Sequence, residues 1–471
     1  MSESIVHYDL ETEKVTVLQA YRFALDPRPD QEHELASHCG AQRFAYNWGL
    51  AHIKANLNQR DAERTYGLSG QELTPPVSWS AYSLRKEWNR AKDDVAPWWP
   101  ENSKEAYASG LANLSAALTN WQRSRTGQRA GRYVAFPTFK TKSTRLSCRF
   151  TTGSFGLVAD DRRHVRLPRI GGVRTHESTR KLARHIARGT ARIRSATVTF
   201  RAGRWFVSFS VEVERAPRTP TQPNSVIGVD VGIRSLAFLS TGESIPNPKH
   251  LDADLGKLRR LQRRAERRRG PDPRREAAPS RRWHKTRTQI ARVHARVANA
   301  RRDGLHKLTS GMASHHGTIV IEQLNVSGML KNRTLARAIA DASWAELRRQ
   351  LEYKTHRNGG SLQVADRWYP SSKTCSACGE VKAKLRLQDR IFACDHCGFT
   401  LDRDLNAARN LAELATSTAS CAGTENMPAG NPGKPRLARA AGTATGRPSH
   451  ARAGQPCRSN PAGRGGRPAA S

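Results

Sequence analysis

The sequence has few acids for its length: Asp and Glu number 41 against 79 Lys and Arg in 471 residues, a formal net charge of +38. An excess of that size argues against an ordinary soluble enzyme of small molecules. It concentrates polyanions and gives salt-dependent affinity for phosphate backbones. A generally basic proteome, a ribosomal or chromatin-type binder and attraction to an acidic membrane surface would each leave the same balance. Long apolar runs are missing too. No stretch of 18 apolar residues occurs, so no membrane span is expected. Residues 1–14 are polar and carry acids, so no signal peptide is expected. The eight cysteines do not form the pattern of a secreted disulfide framework. Four sit in two tight pairs late in the chain, and Cys39, Cys148, Cys421 and Cys457 are scattered. A cytoplasmic, nucleoid-associated protein with a metal site is expected. There is no internal repeat.

What is present changes character along the chain. Residues 15–25 predict a strand, broken by Pro27 and Pro29. Residues 30–58 predict a helix, with Leu35, Phe44, Trp48 and Ile53 at roughly helical spacing. A second helical block spans about 80–123, interrupted near Pro97 and Pro100. Trp79, Trp88, Trp98, Trp99 and Trp121 lie in or just before it. Aromatics among Lys and Arg can stack on bases, but core packing is the simpler expectation. Strands follow residues 136–143, the clearest being 205–214, where Trp205, Val207, Phe209, Val211 and Val213 alternate with Phe206, Ser208, Ser210, Glu212 and Glu214. Pro217, Pro220 and Pro223 mark a linker and a domain boundary. Residues 226–240 predict two short buried strands joined at Gly232. Residues 257–302 hold 18 Lys and Arg against three acids, Glu266, Asp272 and Glu276. They predict two basic helices around a proline-rich loop, either contacting a nucleic-acid backbone or simply presenting a solvated face. A buried strand (318–324), a helix (334–357) with Trp344, Leu347 and Leu351 on one face, the paired cysteines and a helix from about Asp404 to Leu414 complete the order. Beyond residue 416 the chain is rich in Ala, Gly, Pro and Arg. Residues 426–471 carry eight Lys and Arg and no acid, a composition expected to be disordered.

Two features point to chemistry. Cys375 and Cys378, then fifteen residues, then Cys394 and Cys397 have the C-x₂-C…C-x₂-C spacing of a tetrahedral, structural zinc site. Gly379 and Gly398 permit the left-handed turn each knuckle needs, and His396 is not counted as a ligand. Three acids lie at the ends of apolar segments: Asp230 in VIGVDVGIRSLA, Glu322 after TIVI and Asp404 in LDRDLNAARN, with Asp402 beside the last. An acid among apolar strand residues is costly unless it is paired or binds a cation. Brought together, three could hold hard cations such as two Mg²⁺ about 4 Å apart. Singly, Asp230 could be a strand-end turn residue, Glu322 could pair with an arginine, and Asp404 could be a helix N-cap.

GVDVGIRSLA, IVIEQLNVSGM and DRDLNAARN resemble the three RuvC motifs of the TnpB (OrfB) proteins, transposon-encoded RNA-guided nucleases related to type V CRISPR effectors. WYPSSKTCSACGEV (368–381) is similar to that family's lead-in to its zinc ribbon. Residues 21–51 resemble its N-terminal helical module, and residues 136–143, 166–174 and 203–214 its middle β region. The resemblance covers roughly residues 15–415. It implies a multidomain α+β protein: a wedge-like β segment (1–25), a helical recognition domain (26–135), a wedge-like β domain (136–220), a RuvC-like (RNase H-like) α/β nuclease in two parts (225–368 and 400–415), an inserted zinc ribbon (369–399) and a disordered basic tail (416–471). It also implies a metal-dependent DNA endonuclease with Asp230, Glu322 and Asp404 as catalytic Mg²⁺ ligands and Cys375, Cys378, Cys394 and Cys397 on zinc. The implied partners are a guide RNA from the transposon end and double-stranded target DNA with a short adjacent motif, with no membrane and no small-molecule substrate. Base pairing would carry the sequence information while protein charge holds the backbone.

Two other classes compete: a transposase using the same acids for strand transfer, and a non-enzymatic DNA-binding regulator of transposition. The ribbon between the second and third acids favours the first reading, and the presence of all three acids disfavours the regulator. Removing residues 420–471 is expected to leave cutting unchanged in an in vitro cleavage assay, since that composition has no core to contribute.

Overall fold

The alternation over residues 205–214 is the register of a central strand: Trp205, Val207, Phe209, Val211 and Val213 are buried, and the side chains between them are half-buried or exposed. The computed structural model describes residues 6–9, 14–142, 145–272, 274, 276–386 and 388–421, without side chains for 6–14 and 417–421. Strands β1 (Val6–Asp9) and β2 (Lys14–Asp26) precede helices α1 (Pro29–Thr65), α2 (Ala81–Val95) and α3 (Lys104–Arg125). Then come β3 (Ser147–Phe150), β4 (Gly156–Leu157), β5 (His164–Leu167), β6 (Gly171–Thr175), α4 (Arg180–Ala187), β7 (Ala191–Arg201) and β8 (Arg204–Arg215). These strands form one antiparallel sheet in the order β3-β7-β8-β2-β6-β5-β4, with β1 on β2. Strand β2 registers with β8 from Val15↔Arg215 to Ala24↔Phe206. The start of the chain therefore closes a sheet built mainly from residues 147–215, and the three helices are an excursion between its strands.

Each of those helices starts where its residues direct. Pro29 opens α1 at its first turn, and the hydroxyls of Ser80 and Ser103 accept from the amides of Ser83 and Glu105. Leu35 and Ile53 are fully buried, and Phe44 and Trp48 pack against the same core. Trp88 is buried, Trp79 and Trp99 pack on that core, and Trp121 meets Trp79 and Phe136 edge-on. These tryptophans are core, as expected; Trp98 is the exposed one. Glu105 ties α3 to the sheet by accepting from the amides of Thr151 and Thr152 at 2.9 and 3.1 Å.

The second sheet is mixed. Its strands and helices run β9 (Gln222–Val231), β10 (Ser235–Leu239), β11 (Ser244–Pro246), α5 (His250–Glu266), α6 (Arg281–His315), β12 (His316–Glu322), α7 (Val326–Met329), α8 (Ala336–Ala342), α9 (Trp344–Arg357) and β13 (Ser361–Ala365). After them come β14 (Ile391–Ala393), β15 (Thr400–Asp402) and α10 (Arg403–Cys421). The order is β11-β10-β9-β12-β13, antiparallel through β9 and parallel from β9 to β13. Ile227, Val229, Ile319 and Ile321 pack on one face with residues of α6, α8 and α9, including Trp344, Leu347 and Leu351. Val320 packs on the other with Leu411 and Ala415 of α10. The sheet is thus covered on both sides, which explains why its strands read as continuous apolar runs rather than alternating ones.

Three expectations need correction and one reading gains a detail. Strand β9 begins at Gln222, so Pro223 lies inside it rather than in a linker, at the end where a proline is tolerated. The helix over 334–357 is two helices, broken at Ser343 in the left-handed region (φ 57°). The basic helices do not present charge all round: Leu258, Leu261 and Ala265 of α5 close on Ile290 and Val293 of α6. The tail expected to start at residue 416 begins as helix, because α10 continues to Cys421; residues 422–471 lie outside the described residues. No helix among the described residues is long and apolar enough to cross a membrane.

Candidate active site and metal centre

Strand pairing brings the first two acids level. Strand β12 lies parallel to β9 with Ile321 opposite Val229, so Glu322 sits beside Asp230 at the same sheet end. Helix α10 supplies the third. A Cβ on Gly228 would lie 1.9 Å from the Ala408 carbonyl oxygen and 2.6 Å from the Ala412 amide, so the helix backbone rests directly on the strand there. Asp230 is two residues along β9 from Gly228, on the same face. Asp404 is one turn before Ala408 on the same helix stripe. The contact at Gly228 therefore brings the first turn of α10 to the end of β9 that carries Asp230, close enough for the Asp404 charge to act on it. Gly228→Ala is expected to force strand and helix apart and cost about 1–3 kcal/mol, read as a lower urea midpoint.

The electrostatics agree with that placement. The Asp230 carboxyl is pushed well above its usual range, first by burial and then by the charges of Glu322 and Asp404, with Arg403 opposing. A site that disfavours its own carboxylates in this way suits a hard cation. The side chains are nevertheless not drawn in around a point. Among the described residues, the group of three or more His, Cys, Asp or Glu with ligand atoms all within 4.8 Å is the four cysteines. Asp404 instead accepts from Arg403 Nη2 at 3.1 Å, with Arg390 Nη1 at 3.9 Å from its other oxygen. Beside Glu322 a cleft of about 290 Å³ is lined by Val231, Asn325, Trp344 and Arg348.

The alternative roles weighed for each acid resolve differently. Asp402, not Asp404, is the N-cap of α10: its Oδ1 accepts from the amides of Asp404 and Leu405 at 2.9 and 3.1 Å. That leaves the Asp404 carboxylate outside the cap. Asp230 lies within β9, opposite Phe238, rather than in a turn. Glu322 makes no arginine ion pair among the described residues; it accepts from the Ser371 hydroxyl at 2.5 Å.

The four cysteines converge. Cys375 Sγ lies 3.7 Å from Cys397 Sγ, and Cys378 Sγ 3.6 Å from Cys394 Sγ. A tetrahedron with metal–sulfur bonds of ~2.3 Å has edges of about 3.8 Å, so the spacing could hold one such ion. Each knuckle turns as its glycine allows: Gly379 and Gly398 have φ of 78° and 71° and donate to the carbonyls of Cys375 and Cys394. The amides of Cys397 and His396 draw the Cys394 thiol down to about 6. Against the Glu380 amide, desolvation and the three neighbouring thiols push Cys378 up to about 12. Four thiols in that volume cannot all ionise unaided, and a divalent ion removes the conflict.

This centre is wired to the acids by residues the sequence reasoning did not single out. Asn406 of α10 donates to the Thr374 carbonyl at 2.7 Å and accepts from the Ser376 amide at 3.0 Å. Asn410, one turn on, donates to the carbonyls of Ser371 and Thr374 at 2.7 and 2.6 Å. Ser371, so held, is the donor to Glu322. On the other side, the second knuckle runs through β15 directly into the Asp402 cap and Asp404. Both asparagines are buried. Polar side chains at one-turn spacing within the apolar stripe of DLNAARNLAEL were the available signal.

A mixed α/β chain with a four-thiol centre wired to a cluster of strand-end and helix-end acids is the class that fold and site define. Three family models match it in order: "Helix-turn-helix domain" of OrfB_IS605 over residues 17–61, OrfB_IS605, "Probable transposase", over 208–333, and "Cas12f1-like, TNB domain" over 344–411. The first covers β2 and most of the single helix α1, not two helices joined by a turn. A Mycobacterium tuberculosis protein named "Putative RNA-guided DNA endonuclease" is 42% identical over 416 residues, 84% of this chain and 86% of that one. An Escherichia coli protein similarly named is 31% identical over 86% of this chain and 94% of its own. A solved Cas12f1–sgRNA–target DNA complex aligns with a TM-score of 0.46 at 13% identity, over 85% of this chain and 99% of that one. The chain belongs to the TnpB (OrfB) family.

Proposed function

We propose that this protein is an RNA-guided DNA endonuclease associated with a transposable element, with the mixed sheet as an RNase H-like (RuvC) nuclease core. Asp230, Glu322 and Asp404 are its metal-binding catalytic acids, and Cys375, Cys378, Cys394 and Cys397 hold a structural Zn²⁺. The observation that carries the reading is the close approach at Gly228, which sets Asp404 against Asp230 while strand pairing sets Glu322 beside it. Bound Mg²⁺ would activate a water and stabilise the leaving oxygen of a phosphodiester. The chain's own part is to hold three carboxylates on rigid elements: Ser371 orients Glu322, the Asp402 cap fixes the first turn of α10, and Arg403 and Arg390 occupy Asp404 until a cation displaces them. The first sheet with its helical excursion forms the wedge-like and recognition domains. Basic helices α5 and α6 supply backbone contacts to the guide–target duplex.

The test is to purify the protein from cells also carrying its native downstream DNA and sequence the co-purifying RNA. One discrete RNA ending in sequence from outside the element supports guidance and names the duplex to challenge with Mg²⁺; a smear of cellular RNA sinks it. The description of the matching family as a "Probable transposase" favours strand transfer as the second reading. Joined DNA products rather than free ends would establish that one.

A further inference from the structure

A cavity of about 600 Å³ opens where the first sheet meets the C-terminal ends of α6 and α9, and none of the three acids lines it. Its charged lining includes Lys181, Arg215, Arg218, Lys354 and Arg357, with no Asp or Glu. The Nε atoms of Arg215 and Arg357 are buried without a hydrogen-bond partner, although Arg215 Nη2 donates to the Gln19 side-chain oxygen and the Arg357 guanidinium lies 4.9 Å over the Tyr353 ring. Lys354 donates to neutral oxygens only, the His306 carbonyl at 2.8 Å and the Ser310 hydroxyl at 2.9 Å among them. Glu346, whose charge acts on Lys354, is already engaged by Arg349 and Gln350. Burial and then the Arg357 charge hold Lys354 down to about 8, and burial and then Arg215 hold Arg357 below its ordinary value.

A basic composition accounts for solvated cations, but not for half-buried ones such as Arg215, Lys354 and Arg357 lining one cavity that holds no acid. Buried donors without acceptors are rare and cost about 1–3 kcal/mol each, more when charged. One anion with several oxygens would offer acceptors to both arginines at once; guanidinium forks match phosphate as they match carboxylate, and of the two a bound strand offers phosphate. A second cavity of about 610 Å³ farther along α6 is lined by Arg22, Arg201, Arg287 and Arg302 and is also without acids. We infer that the cavity between the first sheet and α9 is a binding site for one phosphate group of a bound nucleic-acid strand, with Arg215 and Arg357 donating to its oxygens. This rests on the proposed function for the presence of such a strand, not for which strand it is.

The experiment is phosphate-ethylation interference on the full chain, with single-stranded RNA and DNA of one sequence and, where a discrete RNA co-purifies, with that RNA and its matching target. Wild type is compared with Arg357→Gln, Arg357→Lys and the exposed-site variant Arg218→Gln. In wild type, ethylation at one position is expected to weaken binding about tenfold. In Arg357→Gln the same ethylation has no effect, overall affinity is about tenfold lower, and the salt slope falls by about 0.7. Arg357→Lys restores part of the affinity. Because the substitution removes a half-buried, repelled charge, Arg357→Gln without nucleic acid should melt no lower than wild type, which a merely structural arginine would not allow. Interference on RNA assigns the phosphate to the guide, and on DNA to the target. An unchanged interference map and affinity in both Arg357→Gln and Arg218→Gln overturns the site. Stabilisation of wild type by inorganic phosphate with no position-specific interference overturns it as a nucleic-acid site. A generic strand binds in many registers and is read by affinity and salt slope alone; those two outcomes stand even where no discrete RNA co-purifies and guidance itself fails.

Discussion

Asp230→Ala is expected to abolish cleavage, by about 10³-fold or more, while leaving the affinity for co-purifying RNA within about twofold of wild type. The two readouts separate because Asp230 lies at the end of β9 against α10, whereas the expected backbone contacts lie on the basic helices. Asp230→Asn sharpens the prediction. An acid whose folded-state pKa is raised costs stability above its unfolded pKa, because the folded chain holds the charge less willingly than the unfolded one. At neutral pH and without divalent cations, the neutral amide removes that penalty. The variant should therefore be inactive yet melt at or above the wild-type temperature, by differential scanning calorimetry with a chelator present. Cleavage by Asp230→Ala at a wild-type rate would show that the acids at this sheet end are not the nuclease centre.

The second large effect concerns the thiols. Cys375→Ser with Cys394→Ser should lower bound zinc from one per chain to none by elemental analysis, and with it the folding free energy that four thiolates on zinc supply, which is large on the scale of a domain's stability. The reach of the loss is the informative part. Asn406 and Asn410 bond to the carbonyls of Ser371 and Thr374, in the lead-in to the first knuckle. An unfolded ribbon therefore frees Ser371 from Glu322 and weakens the anchoring of α10. Cleavage should fall at least tenfold, the order seen when groups that orient metal ligands are lost, and limited proteolysis should cut between residues 373 and 400. Full activity in a zinc-free double variant would break the link drawn here between ribbon and acids.

How much of this the residues announced depends on the range of the interaction. The cysteine pairs were legible because a metal site writes its geometry into local spacing, and each glycine sits one residue past its knuckle. The alternation of 205–214 was legible for the same reason. The acids could be read as candidates, since an unpaired carboxylate in an apolar strand needs an explanation. Their placement at one sheet end could not, because it depends on the parallel pairing of β9 with β12 and on a helix 174 residues downstream of Asp230. Gly228 carried no sign that a helix backbone would lie on it. Which of Asp402 and Asp404 caps the helix could not be read until the amides of Asp404 and Leu405 were placed. The break at Ser343 was hidden because a serine in the left-handed region has no composition cue, unlike a glycine.

The contact of α10 on Gly228 also sets a timetable. Asp230 and Glu322 emerge from the ribosome well before Asp404, and at about 5–20 residues per second the gap between first and last acid is about 10–35 s. The first sheet is complete before that interval opens, and the basic helices are complete for its last 89 residues, while the third carboxylate does not yet exist. A nascent chain can therefore capture nucleic acid before it is able to cut it.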